Sequence, residues 1–176
     1  MLFDLQSNAK KLQRIKLIVY PIVTFLLCLF QISFVSFIEI GGVSPNLLII
    51  LVVWIALTEG QFTALFSAFA IGIIYDIFKL DVIGTNALSL VFTAFVTGFF
   101  YREGKSEMIV RSLKFFLIVF IGALSHNLIY YILYLKISEI VFVDFFMKYG
   151  VASSLYTTVF SFFPILLSFK RRSVNF

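Results

Sequence analysis

A chain of 176 residues has the length of one domain. With 61% hydrophobic and only 13% charged residues, 24 Phe, and a mean hydropathy of +1.07, its composition excludes a water-soluble fold. The net charge of +5 would suggest nucleic acid in a soluble protein. Here Lys and Arg cluster at the ends of apolar runs, the pattern of membrane orientation, so membrane lipid is expected as a partner and nucleic acid is not.

Residues 1–16 carry Lys10, Lys11, Arg14 and Lys16, with Leu2, Leu5, Ala9 and Leu12 on one helical face. This reads as a basic amphipathic arm lying on a membrane surface. The apolar run that follows is too long for a signal-peptide core and lacks a small-residue cleavage site, so it is expected to remain as the first helix. A spanning helix needs about 20 mostly apolar residues. On that measure 17–38, 45–58, 60–78, 83–101, 112–135 and 145–169 form a six-span domain over 17–169, with a basic tail at 170–176. Five spans remain open, because 45–58 is short. Residues 45–78 read as a tight helical hairpin turning at Gly60, with Pro45 in the first turn of its first helix, where a missing N–H costs nothing.

Six spans put both termini on one side. That side then holds eleven of the fourteen Lys and Arg, leaving only Lys79, Lys136 and Lys148 opposite, which makes it the cytoplasmic face. Glu39, Asp76, Asp81, Glu139 and Asp144 lie towards the outer face, and all loops are short. The expected fold class is an all-α membrane protein, a six-helix transmembrane bundle.

Helices in lipid associate through close backbone packing, which small residues permit. Span three carries Ala64, Ala68 and Gly72 every four residues, ending in Asp76. Span four carries Gly84, Ala87, Val91, Ala94 and Gly98 along one face, and Thr85, Ser89, Thr93 and Thr97 along its neighbour. Two uses are open for these stripes: packing within the bundle, or receiving a helix from another protein. Asp76 has two as well. It sits at headgroup level beside Lys79, or it faces protein, where an ionisable group defaults to a functional role. Asn86, His126 and Asn127 fall at comparable depth and complete a candidate polar cluster with Asp76.

Nothing points to catalysis. Ser125 and His126 are neighbours on a helix and cannot pair as nucleophile and base. The one histidine and the lone Cys28 supply neither a metal set nor a disulfide. No glycine-rich phosphate loop occurs, so no cofactor is expected.

The stretch "PNLLIILVVWIALTEGQFTALFSAFAIGIIYDIFKLDVIGTNALSL" (45–90) resembles the central signature of the rod shape-determining protein MreD family. Pro45, Gly60, Gly72, Asp76, Gly84, Asn86, Ala87 and Leu88 occupy the signature positions. Many family members carry basic residues before the hairpin glycine, where this chain has Thr58 and Glu59. The resemblance implies a non-enzymatic scaffold subunit of the bacterial elongation machinery in the cytoplasmic (inner) membrane. Its implied partner is the single-span protein MreC. The MreB filament and the peptidoglycan glycosyltransferase/transpeptidase pair would lie nearby. The family is also similar to the substrate-binding subunits of energy-coupling-factor transporters, six-span bundles that bind vitamins, which supplies the alternative of a small-molecule binding subunit. Those subunits tend to carry spaced alanines on the first span for docking, and "KLIVYPIVTFLLCLFQISFVSFI" has none.

Overall fold

The computed structural model describes residues 19–80, 82–135 and 142–162. The expected arm at 1–16, the tail at 170–176, and Asp81, Lys136 and Glu139 lie outside the described residues. Within them the chain is all helical, with no strand. The helices are α1 (Val19–Ser33), α2 (Leu47–Glu59), α3 (Gln61–Lys79), α4 (Thr85–Gly98), α5 (Ser106–Val110), α6 (Leu113–Leu135), α7 (Phe142–Phe145) and α8 (Val151–Phe160). Two of them, α3 and α6, are long and apolar enough to cross a membrane.

Within the described residues the other expected spans are less regular than the sequence suggested. The first ends at Ser33 and gives way to a tighter turn at Val35–Ile38. The fourth begins only at Thr85, because Gly84 adopts φ +100°, and stops at Gly98. Its 14 residues rise about 21 Å at 1.5 Å each. The sixth is assembled from α7, a π-helical turn at Phe146–Gly150 and α8. Gly150 stays in right-handed helical geometry, so the three pieces follow one another without a break.

The shortness of α2 has a packing reason. Leu48, Ile49, Ile50, Val52, Val53, Ile55, Ala56 and Leu57 are all buried, and α2 touches α3, α4, α5, α6 and α8. A helix apolar on every side belongs inside a protein, and a central helix need not match the thickness of a surrounding layer. Pro45 lies outside the first turn where it was expected, two residues before the first helical residue, Leu47. Asn46 is the N-cap, its side chain accepting from the Leu48 N–H at 3.0 Å, and Pro45 precedes it. Gln31 of α1 secures the same end, donating to the Pro45 carbonyl at 2.8 Å and accepting from the Leu47 N–H at 2.9 Å. At the other end Gly60, φ +93°, is the one residue between α2 and α3.

The neighbours α3 and α4 run antiparallel and pack closely. A Cβ added at Gly72 would meet the Ala87 Cα at 2.2 Å, and one at Gly98 would meet the Gln61 side chain at 2.5 Å. Ala64, Ala68, Ala87 and Ala94 are buried along this seam. The hydroxyl stripe faces α6 instead. Gly122 of α6 sits against Thr97 and Thr93, with Val53 of α2 beside it. Ser89, Thr93 and Thr97 each donate to the carbonyl four residues back, which removes their polarity from the interface. Thr93 also reaches the Gly122 carbonyl at 3.3 Å.

Candidate functional site

Both small-residue stripes are therefore occupied from within the chain. Ala64, Ala68, Gly72, Ala87, Ala94 and Gly98 lie at contacts of the bundle itself, and the expectation that they receive a partner's helix is corrected: helices of this chain fill those surfaces. Gly84 is not a packing residue. Nothing lies within 4 Å of where its Cβ would be, and its positive φ makes it the turn that precedes α4.

The expected polar cluster separates into two parts. In the first, the Asp76 carboxylate is fully buried at the start of α4. One oxygen accepts from the Asn86 side-chain amide at 2.7 Å and the Asn86 backbone N–H at 3.1 Å. The other accepts from the Gly84 N–H at 2.8 Å and the Ala87 N–H at 3.4 Å. The first turn of any helix leaves N–H groups without intrahelical partners, and its dipole favours negative charge there. Asp76 supplies both needs from the last turn of α3. One turn earlier Gly72 brings the α4 backbone near enough for this to happen. Of the residues grouped with Asp76 in the candidate cluster, Asn86 bonds to it, and among the described residues His126 and Asn127 do not. Of the two places open to it, headgroup level beside Lys79 or facing protein, its complete burial selects the second.

The second part contains His126 and Asn127 of α6. Asn127 donates its side-chain amide to the Gly150 carbonyl at 3.0 Å and to Ser154 Oγ at 2.9 Å, tying α6 to the last helix. Its Oδ1 lies 3.5 Å from His126 Nδ1, a long contact. His126 is 3% exposed, and its Nε2 has no hydrogen-bond partner among the described residues. Buried polar atoms are almost always paired, so this one is an anomaly to be explained. It borders a cavity of about 440 Å³ that opens at the Asp76 end of the bundle. Of the thirteen lining residues among the described ones only Leu80 lacks a side-chain nitrogen or oxygen.

No protein-family model matches the chain, and no curated protein and no solved structure matches it. The site must be understood from its own geometry.

Sequence reasoning missed most of the cavity wall. His126, Tyr130 and Tyr134 recur every four residues along α6, and their rings stack nearly parallel, 6.0 and 5.9 Å apart at 11° and 10°. The four-residue spacing is visible in the sequence once His126 is treated as the first member of a row. Across the cavity, the Lys79 ammonium lies 3.2 Å from the Tyr130 hydroxyl and above the rings of Tyr75 and Tyr130. Lys79, expected as a headgroup-level mate for Asp76, lines this cavity. Asn86 belongs to both parts: it binds Asp76 and also borders the cavity. Among the described residues no three His, Cys, Asp or Glu side chains converge to hold a metal.

Proposed function

We propose that the chain is a six-span scaffold subunit of the bacterial elongation complex, of the MreD type. It would lie in the cytoplasmic membrane with both termini inside, binding MreC and through it the MreB filament and the peptidoglycan glycosyltransferase/transpeptidase pair. It has no catalytic role in this reading. One observation carries it. Gly72, Asp76, Gly84, Asn86 and Ala87, five of the eight signature residues, meet at a single joint between α3 and α4. That each of these five positions has a distinct job in one device supports the reading. Membrane embedding is supported by the outward face of α3, where Phe62, Phe66 and Phe69 are 80%, 77% and 57% exposed. Because the stripes are consumed internally, MreC must use another face.

The test is depletion of the chain in a rod-shaped bacterium, together with co-purification of full-length chain and MreC in mild detergent. Rounded cells and a stable complex are expected. Unchanged rods and no complex would overturn the proposal.

A second reading, a small-molecule binding subunit of a transporter, is favoured by the polar cavity. Stoichiometric vitamin in the purified protein, with normal cell shape on depletion, would select it.

A further inference from the structure

The aromatic side chains of α3 and α6 are sorted by height. Five of the chain's eight tyrosines join one network at the end where these two helices finish. The Lys79 ammonium lies 5.9 and 5.4 Å from the ring centroids of Tyr75 and Tyr130. Tyr130 meets Tyr131 edge-on at 5.5 Å and stacks on Tyr134 at 5.9 Å. From Tyr131 the contacts continue through Phe145 of α7 to Tyr149, and Lys148 lies 5.2 Å from the centre of that ring. Lower on the same two helices the exposed large side chains include Phe66 and Phe69 of α3 and Leu117 of α6, none with a polar atom.

Tyrosine differs from phenylalanine by one hydroxyl, so its ring has an apolar body and a polar tip. Such a side chain is favoured where one end is apolar and the other wet, at a membrane boundary. Lysine follows the same logic, with an apolar stem and a charged head. Phenylalanine and leucine have no polar tip to place and suit the hydrocarbon beneath.

The spacing along α6 agrees with this sorting. The segment before α6 holds Arg102, Lys105, Glu107 and Arg111, which marks an aqueous edge two residues before the exposed Leu113. From Leu113, Tyr130 is about 26 Å along the axis and Tyr134 about 32 Å, at 1.5 Å per residue. A tilt of about 20°, usual for a spanning helix, brings Tyr134 to about 30 Å. The hydrocarbon of a bilayer is about 30 Å thick. The tyrosines therefore fall at its far boundary.

We propose that this tyrosine-rich end is a docking surface for the headgroup layer of a lipid bilayer. The rings lie against the upper part of the acyl chains, and their hydroxyls donate to lipid ester and phosphate oxygens. Lys79, Tyr130, Tyr131 and Tyr134 also line the cavity, so its rim lies at headgroup depth rather than against hydrocarbon. The inference rests on the membrane placement given above, and on neither the elongation nor the transporter reading.

The test is a depth measurement on full-length protein in phosphatidylcholine bilayers, with a spin label on one introduced cysteine at a time: Ile132→Cys, Phe69→Cys or Glu107→Cys. All three positions are exposed, and none removes a tyrosine. The native Cys28 is fully buried, and the unsubstituted protein is the control for its labelling. Collision with oxygen, which concentrates in hydrocarbon, is compared with collision with a water-soluble nickel chelate. Phe69→Cys should collide mainly with oxygen and Glu107→Cys mainly with nickel. Ile132→Cys, between the tyrosines, should fall between the two, within about one helical turn (~5.4 Å) of the lipid phosphate. Ile132→Cys matching Phe69→Cys would put the tyrosines inside hydrocarbon, and matching Glu107→Cys would put them in water. Either result overturns the inference while leaving the membrane placement intact. Nickel-dominated collision at Phe69→Cys would overturn that placement, and the inference with it.

Discussion

The Asp76 joint and the His126 cavity are neighbours that share Asn86, yet they treat buried polarity in opposite ways. At the joint one carboxylate meets four N–H groups, and every one of those groups needed a partner. At the cavity an imidazole nitrogen is buried with no partner among the described residues. The difference teaches how to read polar residues in an apolar chain. A satisfied group explains why the fold holds together, whereas an unsatisfied group beside a cavity explains what the fold is open to. Asp76 is in the first class, His126 in the second.

Substitutions can break that contrast, and the largest effect is expected at the joint. Gly72→Ala drives a methyl group into the Ala87 backbone. It should cost about 3 kcal/mol, the upper end of usual overpacking penalties, measured as reduced resistance to unfolding in detergent. Asn86→Ala removes one charge-assisted bond but leaves three backbone donors on Asp76. A loss of about 1.5 kcal/mol is expected. Gly122→Ala meets methyl groups of Thr97 and Val53 at 2.9 and 3.1 Å, ends of side chains rather than backbone. About 1 kcal/mol is expected, read in the same unfolding assay. Tyr134→Leu should change stability by less than about 0.5 kcal/mol, as exposed positions usually do.

The joint was legible in the sequence to a large degree. Ala64, Ala68, Gly72 and Asp76 share a face by spacing alone, and Asn86 was marked as a polar neighbour. What spacing could not give was the occupant of the face. A row of small residues states that something packs closely, and α4 and α6 turned out to be that something. Of the two places left open for Asp76 the protein-facing one is found, with Asn86 as a partner, but its backbone partners were not legible: the unpaired N–H groups of a helix start are absent from any list of side chains, so their demand for an acceptor is invisible until α4 is seen to begin at Thr85. The central place of α2 was readable in principle, since Leu48 to Leu57 are apolar on all sides, but its length suggested an incomplete span. The cavity was the least legible. Its rings lie on α3 and α6, and its far wall on Gln31, Asn46 and Ser153, distant in sequence.

The contrast also alters the expectation for a mild substitution at Asp76. Asparagine keeps the size of the side chain, but its NH2 would face N–H groups that now meet an oxygen. Leaving two buried donors unpaired costs roughly 1–3 kcal/mol each. Leucine at His126 does the reverse: it removes a buried polar atom that has no partner among the described residues, a change that is neutral or favourable in a packed interior. The most direct measurement is therefore the unfolding midpoint of Asp76→Asn and His126→Leu, side by side in the same detergent. Asp76→Asn should fall well below the parent protein, and His126→Leu should equal or exceed it. A stable Asp76→Asn with an unstable His126→Leu would contradict the division of labour between joint and cavity.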